Sequence, residues 1–352
     1  MDIETKMQIV KSEPVEEIIT EEEMKNLLEI NNKPIHYIGL ELSGIPHIGH
    51  IFTAGKKIND FIKLGIKTNV LLADWHTMAN NKLGGDWEKI KKLSKFYENL
   101  FKEFCPGVNV VLGSDLYHNN DEYWKLVLRI SMRVTVARAT RTLIIEGRNE
   151  KDNLHTSQYI YPIMQAADIS ALNVDIVHAG IDQRKVNVLA KEKFKEMNLK
   201  NIIPVHHHLI PSLLEPPKLD TDMEKEEIVA AMKMSKSKPG SAISILDTEE
   251  EIRKSLRNAW CPERKSDENP VLELVRYVIM PNLNTFHMER NIKYGGDKDY
   301  ESYAQLKNDY DNGLVHPLDL KNASAEALIK IFSKIKNAVK DKERILDIIS
   351  QK

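Results

Sequence analysis

Short apolar runs recur along the first two hundred residues, and most are separated by stretches of helical periodicity. This rhythm limits the fold more than any other feature of the chain. The runs are Ile35 to Leu40, Thr68 to Ala73, Val108 to Leu112, Val174 to Ala179 and Ile202 to Val205. Strands alternating with helices predict an α/β fold, a Rossmann-like doubly wound parallel sheet with helices on both faces. Ligands of such sheets gather outside the carboxyl ends of the strands. Residues 1–30 are polar and helix-prone, with Thr20 and Glu23 spaced as a capping box. Long helices, a helical segment set between the strand runs, are expected at about 121–150. From Thr248 onward the pattern is mostly helical, ending in an amphipathic stretch from Asn322 to Lys352. The expected division is a domain at 1–246 and a smaller α-helical domain at 247–352.

The first strand leads through Ser43-Gly44-Ile45-Pro46 into His47-Ile48-Gly49-His50, where a helix running to about Gly65 is expected to open. Pro46 suits a first helical turn, because its missing N–H would be unpaired there anyway. Free N–H groups and the positive dipole end at a helix start attract phosphate. His47 and His50, three apart, share one side of that turn. Gly49 lets a flat ring approach the backbone. On these residues alone, a helix start with two surface histidines is the simpler interpretation. Far downstream, Lys233-Met234-Ser235-Lys236-Ser237-Lys238-Pro239-Gly240 forms a basic, loop-like segment.

Other polar residues fall where a pocket would need them. Tyr161, Gln165 and Asp168 stand at i, i+4 and i+7 on a helix whose remaining residues are largely apolar. Such a stripe is either a buried hydrogen-bond network or a pocket wall. Asp182 and Gln183 follow a strand end and open a helix. His206-His207-His208 are adjacent on an extended run and point to alternate faces, so a structural role is expected rather than a metal site. Arg129, Arg133, Arg138, Arg141 and Arg148 fit a solvated helix face as well as a binding surface.

Composition narrows the class of protein. Of 352 residues, 29% are charged and 42% hydrophobic, and the net charge is −2, so a nucleic-acid partner would have to be met by local basic patches. No apolar run approaches the roughly 20 residues of a membrane span. The start of the chain lacks the basic and apolar regions of a signal peptide. Two cysteines, Cys105 and Cys261, suggest no disulfide framework. A cytoplasmic enzyme is expected.

The histidine turn and the lysine-serine loop together resemble the paired signature of class I aminoacyl-tRNA synthetases. Tyr37-Ile38-Gly39, Glu41, Ser43-Gly44, Tyr161-Pro162-Ile163-Met164-Gln165 and Asp182-Gln183-Arg184-Lys185 narrow the resemblance to tyrosyl-tRNA synthetases of the archaeal and eukaryotic kind, from about Ile18 to the end. The resemblance implies activation of L-tyrosine by ATP, with Mg²⁺ accompanying the nucleotide, and transfer to tRNA(Tyr) by a homodimer. It implies that His47, His50, Lys233 and Lys236 stabilise the phosphates, and that Gly49, Ser235, Ser237 and Asp182 bind ATP. Tyr37 and Asp168 would hold the substrate's phenolic hydroxyl. Tyr161, Gln165 and Gln183 would hold its ammonium and carboxylate groups, and Leu71, Ala73 and His76 would line the ring, with Gly39 and Glu41 beside them. Arg138, Arg141 and Arg184 would face the tRNA. Tyr294, His316 and Asp319, in Tyr294-Gly295-Gly296-Asp297 and His316-Pro317-Leu318-Asp319, would read its anticodon. Leu42 departs from the family, which often has proline there.

Two other functions compete with tyrosine activation. A related enzyme activating tryptophan is disfavoured by Tyr37 with Asp168, because an indole offers only a donor. A non-catalytic RNA-binding protein on the same scaffold would not require His47, His50, Lys233 and Lys236.

Overall fold

The computed structural model describes residues 1–142, 155–216, 228, 232–235, 238–340 and 342–350. The chain divides into two compact units. The first comprises Met1–Gly44, Lys57–His208 and Asp341–Lys352, and the second Ile45–Lys56 and Leu209–Lys340. This division does not follow a cut at 246, because backbone pairing takes precedence over chain order. Ile48 N–H donates to Ile243 O at 3.1 Å and Ile245 N–H to Pro46 O at 3.2 Å, so the histidine turn joins the later unit.

The first unit is built on a sheet of β1 (Val15–Ile18), β2 (Ile35–Leu40), β3 (Lys67–Leu72), β4 (Asn109–Leu112), β5 (Ile176–Gly180) and β6 (Ile203–His207). Their order is β1-β6-β5-β2-β3-β4, with β1 antiparallel and the rest parallel. The edge strand β1 is absent from the sequence expectation. Val15–Ile18 carries two glutamates in four residues and lacks the apolar run that marks the other strands. The order reverses between β2 and β5, which makes the ends of these strands the switch point where a ligand crevice forms.

Successive residues on a strand face opposite sides. Ile176 therefore joins one buried cluster, with Met7, Met24, Leu28 and Phe61, while Val177 joins another, with Tyr37, Leu71, Ile163 and Phe194. The covering helices are α1 (Ile3–Lys11), α2 (Glu21–Ile30), α3 (Gly55–Lys63), α4 (Asp74–Ala79), α5 (Trp87–Phe104), α6 (Gly113–Tyr117), α7 (Asp121–Ser131), α8 (Val136–Thr140), α9 (Thr156–Ala171) and α10 (Arg184–Glu196). The capping box of Thr20 and Glu23 is formed at the start of α2. The insertion is not continuous helix. It breaks after Ser131, and Thr135 caps α8 by accepting from Arg138 N–H. Residues 143–154, which include Arg148, lie outside the described residues.

The second unit is mainly helical, as expected, with helices at Glu249–Asn258, Pro270–Leu274, Tyr303–Asp311 and Pro317–Phe332. It also holds a hairpin that helical periodicity does not signal, β7 (Phe286–Met288) paired antiparallel with β8 (Lys298–Tyr300). The helix Lys342–Ser350 belongs to the first unit.

Candidate active site

In the first unit, the switch point gathers polar side chains from five elements. Tyr37 rises from β2 and is 2% exposed, while Asp168, on the buried face of α9, is 1% exposed. Tyr123 of α7 donates its hydroxyl to Asp168 Oδ1 at 2.8 Å. His76 of α4 brings Nε2 to 3.6 Å from Asp168 Oδ2. Neither of these two buried atoms makes a hydrogen bond. Tyr117 Oη lies 3.4 Å from His76 Nδ1, and its ring packs 4.6 Å from that of Tyr123. The Tyr161 ring meets His76 edge-on at 4.6 Å.

Burial dominates the electrostatics. It pushes the Asp168 carboxyl well above the usual carboxylate range, against the opposing hydrogen bonds from tyrosine hydroxyls. Burial lowers His76 to about 4, so the ring is neutral at physiological pH. The Tyr37 phenol is raised by burial and by the Asp168 charge, which keeps its hydroxyl a donor. A buried acceptor oxygen and a buried ring nitrogen, both without hydrogen bonds, call for a polar partner. A ligand hydroxyl that donates would satisfy the Asp168 oxygen.

The other expected pocket residues lie around this group. Gly39 on β2 pairs in register with Leu71 on β3, and a Cβ at Gly39 would stand 2.4 Å from the Tyr37 hydroxyl. Ala73, which immediately precedes α4, is also buried. Gln165 Nε2 donates to Gln183 Oε1 at 3.3 Å, and Asp182 sits buried in the turn after β5. Glu41 accepts from Asn80 Nδ2 at 2.7 Å. Tyr117 and Tyr123 are functional candidates that sequence reasoning missed. Tyr123, Val127 and Ile130 mark the buried face of α7, a helical spacing that carries the signal beside the arginines of the same segment.

In the second unit, the histidine turn is wound as a π-helical turn over Gly49–Ala54, continued by α3. Such turns recur at functional sites. The His47 and His50 rings lie 4.1 Å apart. Gly49 N–H donates to His47 Nδ1 at 3.1 Å, so this N–H is engaged by the side chain rather than left for phosphate, and the His47 proton sits on Nε2. A Cβ at Gly49 would come within 2.9 Å of His47 Cε1. The lysine-serine segment belongs to the same unit. Lys233 pairs with Pro211 in an antiparallel bridge, and His47 with Ser244 in another. Ser235 O accepts from the Ser241 hydroxyl. Lys236 and Ser237 lie outside the described residues.

The residues expected to face tRNA are divided between the two units. Arg138 donates to Glu192 Oε2 at 2.8 Å, and Arg184 Nε reaches both Glu17 carboxylate oxygens at 3.0 Å. Arg141 is exposed at the end of α8. Tyr294 ends the turn Ile292–Tyr294, and its side chain lies outside the described residues. His316 caps the helix Pro317–Phe332 by accepting from Leu318 N–H at 3.1 Å, and Asp319 sits in its first turn. The histidine run closes strand β6, between β1 and β5. His206 Nδ1 meets Glu17 at 2.8 Å, and His207 Nδ1 meets His178 Nε2 at 2.8 Å.

This sheet and the paired signature define a class of enzyme. A family model described as tRNA synthetases class I (W and Y) matches residues 29–333. A tyrosine--tRNA ligase from Pyrococcus furiosus is 44% identical over 96% of this chain and 95% of its own. The crystal structure of a tyrosyl-tRNA synthetase from Pyrococcus horikoshii, complexed with L-tyrosine, matches with a TM-score of 0.90 at 42% identity, covering 99% of each chain. Another from Archaeoglobus fulgidus, also with L-tyrosine, matches with a TM-score of 0.85 at 33% identity, over 96% of this chain and 100% of that one. The chain belongs to the tyrosyl-tRNA synthetases of archaeal type, within the class I aminoacyl-tRNA ligases. Enzymes of this class use ATP.

Proposed function

We propose that the protein activates L-tyrosine with ATP and transfers it to the terminal adenosine of tRNA(Tyr). The observation that carries the choice of amino acid is the buried Asp168 Oδ2, which makes no hydrogen bond, together with the buried Tyr37 phenol. The tyrosine phenol donates to Asp168 and accepts from the Tyr37 hydroxyl. Phenylalanine leaves these groups unpaired, and an indole N–H cannot accept from Tyr37. Tyr161, Gln165 and Gln183 hold the ammonium and carboxylate groups, Leu71, Ala73 and His76 line the ring, and Glu41 stands beyond them.

In the first step a tyrosine carboxylate oxygen attacks the α-phosphorus of ATP. The bond to the bridging oxygen of the β-phosphate breaks, and pyrophosphate leaves. The protein contributes positioning and stabilisation of developing charge. His47 donates from Nε2, His50 stands beside it, and Gly49 keeps the turn open to the nucleotide. Lys233 and Lys236 neutralise the departing pyrophosphate, with Ser235 and Ser237 adding hydrogen bonds. Asp182 accepts from the ribose. In the second step a ribose hydroxyl of the tRNA attacks the acyl carbon, and AMP leaves. Magnesium is assigned to the ATP phosphates, which supply hard oxygen ligands.

The segment 247–352 is read as the anticodon-binding domain, through Tyr294, His316 and Asp319, while Arg138, Arg141 and Arg184 face the tRNA. A homodimer through the insertion is supported by exposed apolar residues. Leu128 is 64%, Met132 83% and Val136 70% exposed in the single chain.

Pyrophosphate exchange with each amino acid tests the reading. Exchange is expected with tyrosine and not with tryptophan or phenylalanine. Asp168→Ala should cost tyrosine activation roughly 2 kcal/mol and narrow the margin over phenylalanine. A folded variant that keeps the original margin would overturn the assignment.

A further inference from the structure

One guanidinium fastens two segments of the second unit that are distant from its signature residues in sequence. Arg290 opens the connection between β7 and β8. Its N–H donates to Asp297 Oδ1 at 2.8 Å and its Nε to the Gly296 carbonyl at 3.1 Å. These bonds close the connection that carries the Ile292–Tyr294 turn. Its Nη1 donates to the Leu314 carbonyl at 2.9 Å, in the turn that leads to His316 and the helix Pro317–Phe332. Leu314 N–H is held in turn by the Asp309 carbonyl at 2.8 Å. The Asp309 carboxylate accepts from the Tyr300 hydroxyl at 2.9 Å, which ties strand β8 to the same region. Both segments expose apolar side chains, Ile292 at 90%, Leu314 at 62% and Leu318 at 48%.

We propose that Arg290 is a positioning residue that sets the distance between the Tyr294 turn and the His316–Asp319 helix start, and thereby the discrimination of anticodon bases. The inference rests on the reading of those segments as anticodon-facing. Arg290 acts through two backbone carbonyls in separate segments. Only a planar fork with donors in fixed directions spans both. A single ammonium on a flexible stem cannot. No side-chain partner type in the sequence signals the role of Arg290. Its acceptors are carbonyls.

The test is aminoacylation of tRNA transcripts carrying each base at the first anticodon position, with Arg290→Ala, Arg290→Lys, Asp319→Ala and the double variant Arg290→Ala/Asp319→Ala. Arg290→Ala should raise the KM for tRNA roughly tenfold, with a smaller change in kcat, and compress the preference among the four bases. Tyrosine-dependent pyrophosphate exchange, in which tRNA takes no part, reports whether the protein is folded and active. Arg290→Lys keeps the stem and charge, and should fail to restore base preference. The double variant should discriminate no worse than Asp319→Ala alone, because Arg290 acts through the placement of that segment. The proposal is overturned if Arg290→Ala keeps full base preference, if lysine restores it, or if the two losses add. A lysine that restores binding to all four transcripts equally would assign Arg290 to a phosphate instead. If Asp319→Ala leaves base preference unchanged, the anticodon reading itself fails. If Asp319→Ala changes it and Arg290→Ala does not, only the role of Arg290 fails.

Discussion

Tyr37 and Gly39 lie two apart on β2, so their Cα–Cβ directions share one face of the sheet. The Tyr37 hydroxyl occupies the space a Cβ at position 39 would need, at 2.4 Å from its ideal place. Tyr37 is 2% exposed and packed within a cluster that includes Leu71 and Tyr117, so it cannot swing away cheaply. Gly39→Ala should therefore displace the hydroxyl that donates to substrate. We expect a KM for tyrosine raised by about tenfold in pyrophosphate exchange, with a far smaller change in the KM for ATP. One hydrogen bond of this kind is worth roughly 1 kcal/mol, and misplacement of a buried donor costs more. Equal effects on both substrates would show a general disturbance rather than a displaced Tyr37.

At the scale of elements, backbone pairing gives the lysine-serine segment its local support. Met234 N–H donates to Ile210 O at 2.8 Å, and Ser212 N–H to Met232 O at 2.7 Å. The segment before it is thus tied to residues 210–212, while Ser241 N–H closes back on Lys238 O at 3.1 Å. A lysine side chain on a backbone held in this way can act on the transition state, where its charge matters most as pyrophosphate leaves. Lys233→Ala should slow adenylate formation by roughly 2–4 kcal/mol, as expected for loss of one preorganised charge contact, and leave tyrosine affinity nearly unchanged. Stopped-flow measurement of adenylate formation checks this. An unchanged rate with weakened tyrosine binding would remove Lys233 from the chemistry. The sequence made this segment legible as a motif. It could not show that the histidine turn would pair with residues 243–245, since that pairing joins stretches about two hundred residues apart.

At the scale of the whole chain, acid stability depends on histidines buried as neutral rings. His36 stacks on Phe61 with ring centroids 4.3 Å apart, and both its nitrogens lack hydrogen-bond partners. Burial, with the Lys57 charge as a smaller cause, lowers it to about 3. His207, on β6 beside His178, is lowered to about 4 mainly by burial, against the nearby charge of Asp182, and burial lowers His178 well below its ordinary value. An unfolded histidine takes up its proton near pH 6.5, while the folded protein resists it. The unfolded state therefore binds more protons as pH falls below about 6.5, and stability drops from there toward pH 4 for His207 and toward pH 3 for His36. Each ring adds a slope approaching about 1.4 kcal/mol per pH unit. Urea unfolding across pH 7 to 4 should show the decline, and His36→Leu should flatten it. Stability that holds constant over that range would contradict the assignment. The proposed dimer is checked at the same scale. Met132→Glu should shift sedimentation from dimer to monomer, because a carboxylate would be buried in an apolar contact.

Local signals in the amino-acid sequence determine much of this protein by themselves. The strand runs, the capping box at Thr20 and Glu23, and the Tyr161, Gln165 and Asp168 stripe are each encoded within a few residues, by hydrophobic period and side-chain chemistry. The folded chain keeps all three. Tertiary structure decided what depends on meetings between distant stretches. It set the antiparallel strand β1, whose two glutamates conceal it from an apolar count but whose backbone completes the edge at β6. It placed Tyr123 against Asp168, and Arg290 between a hairpin and a helix start. It also sent the histidine turn into the second unit. A hydrogen bond between residues far apart in the chain leaves no periodic trace in either stretch, so only the folded chain reveals which donor meets which acceptor.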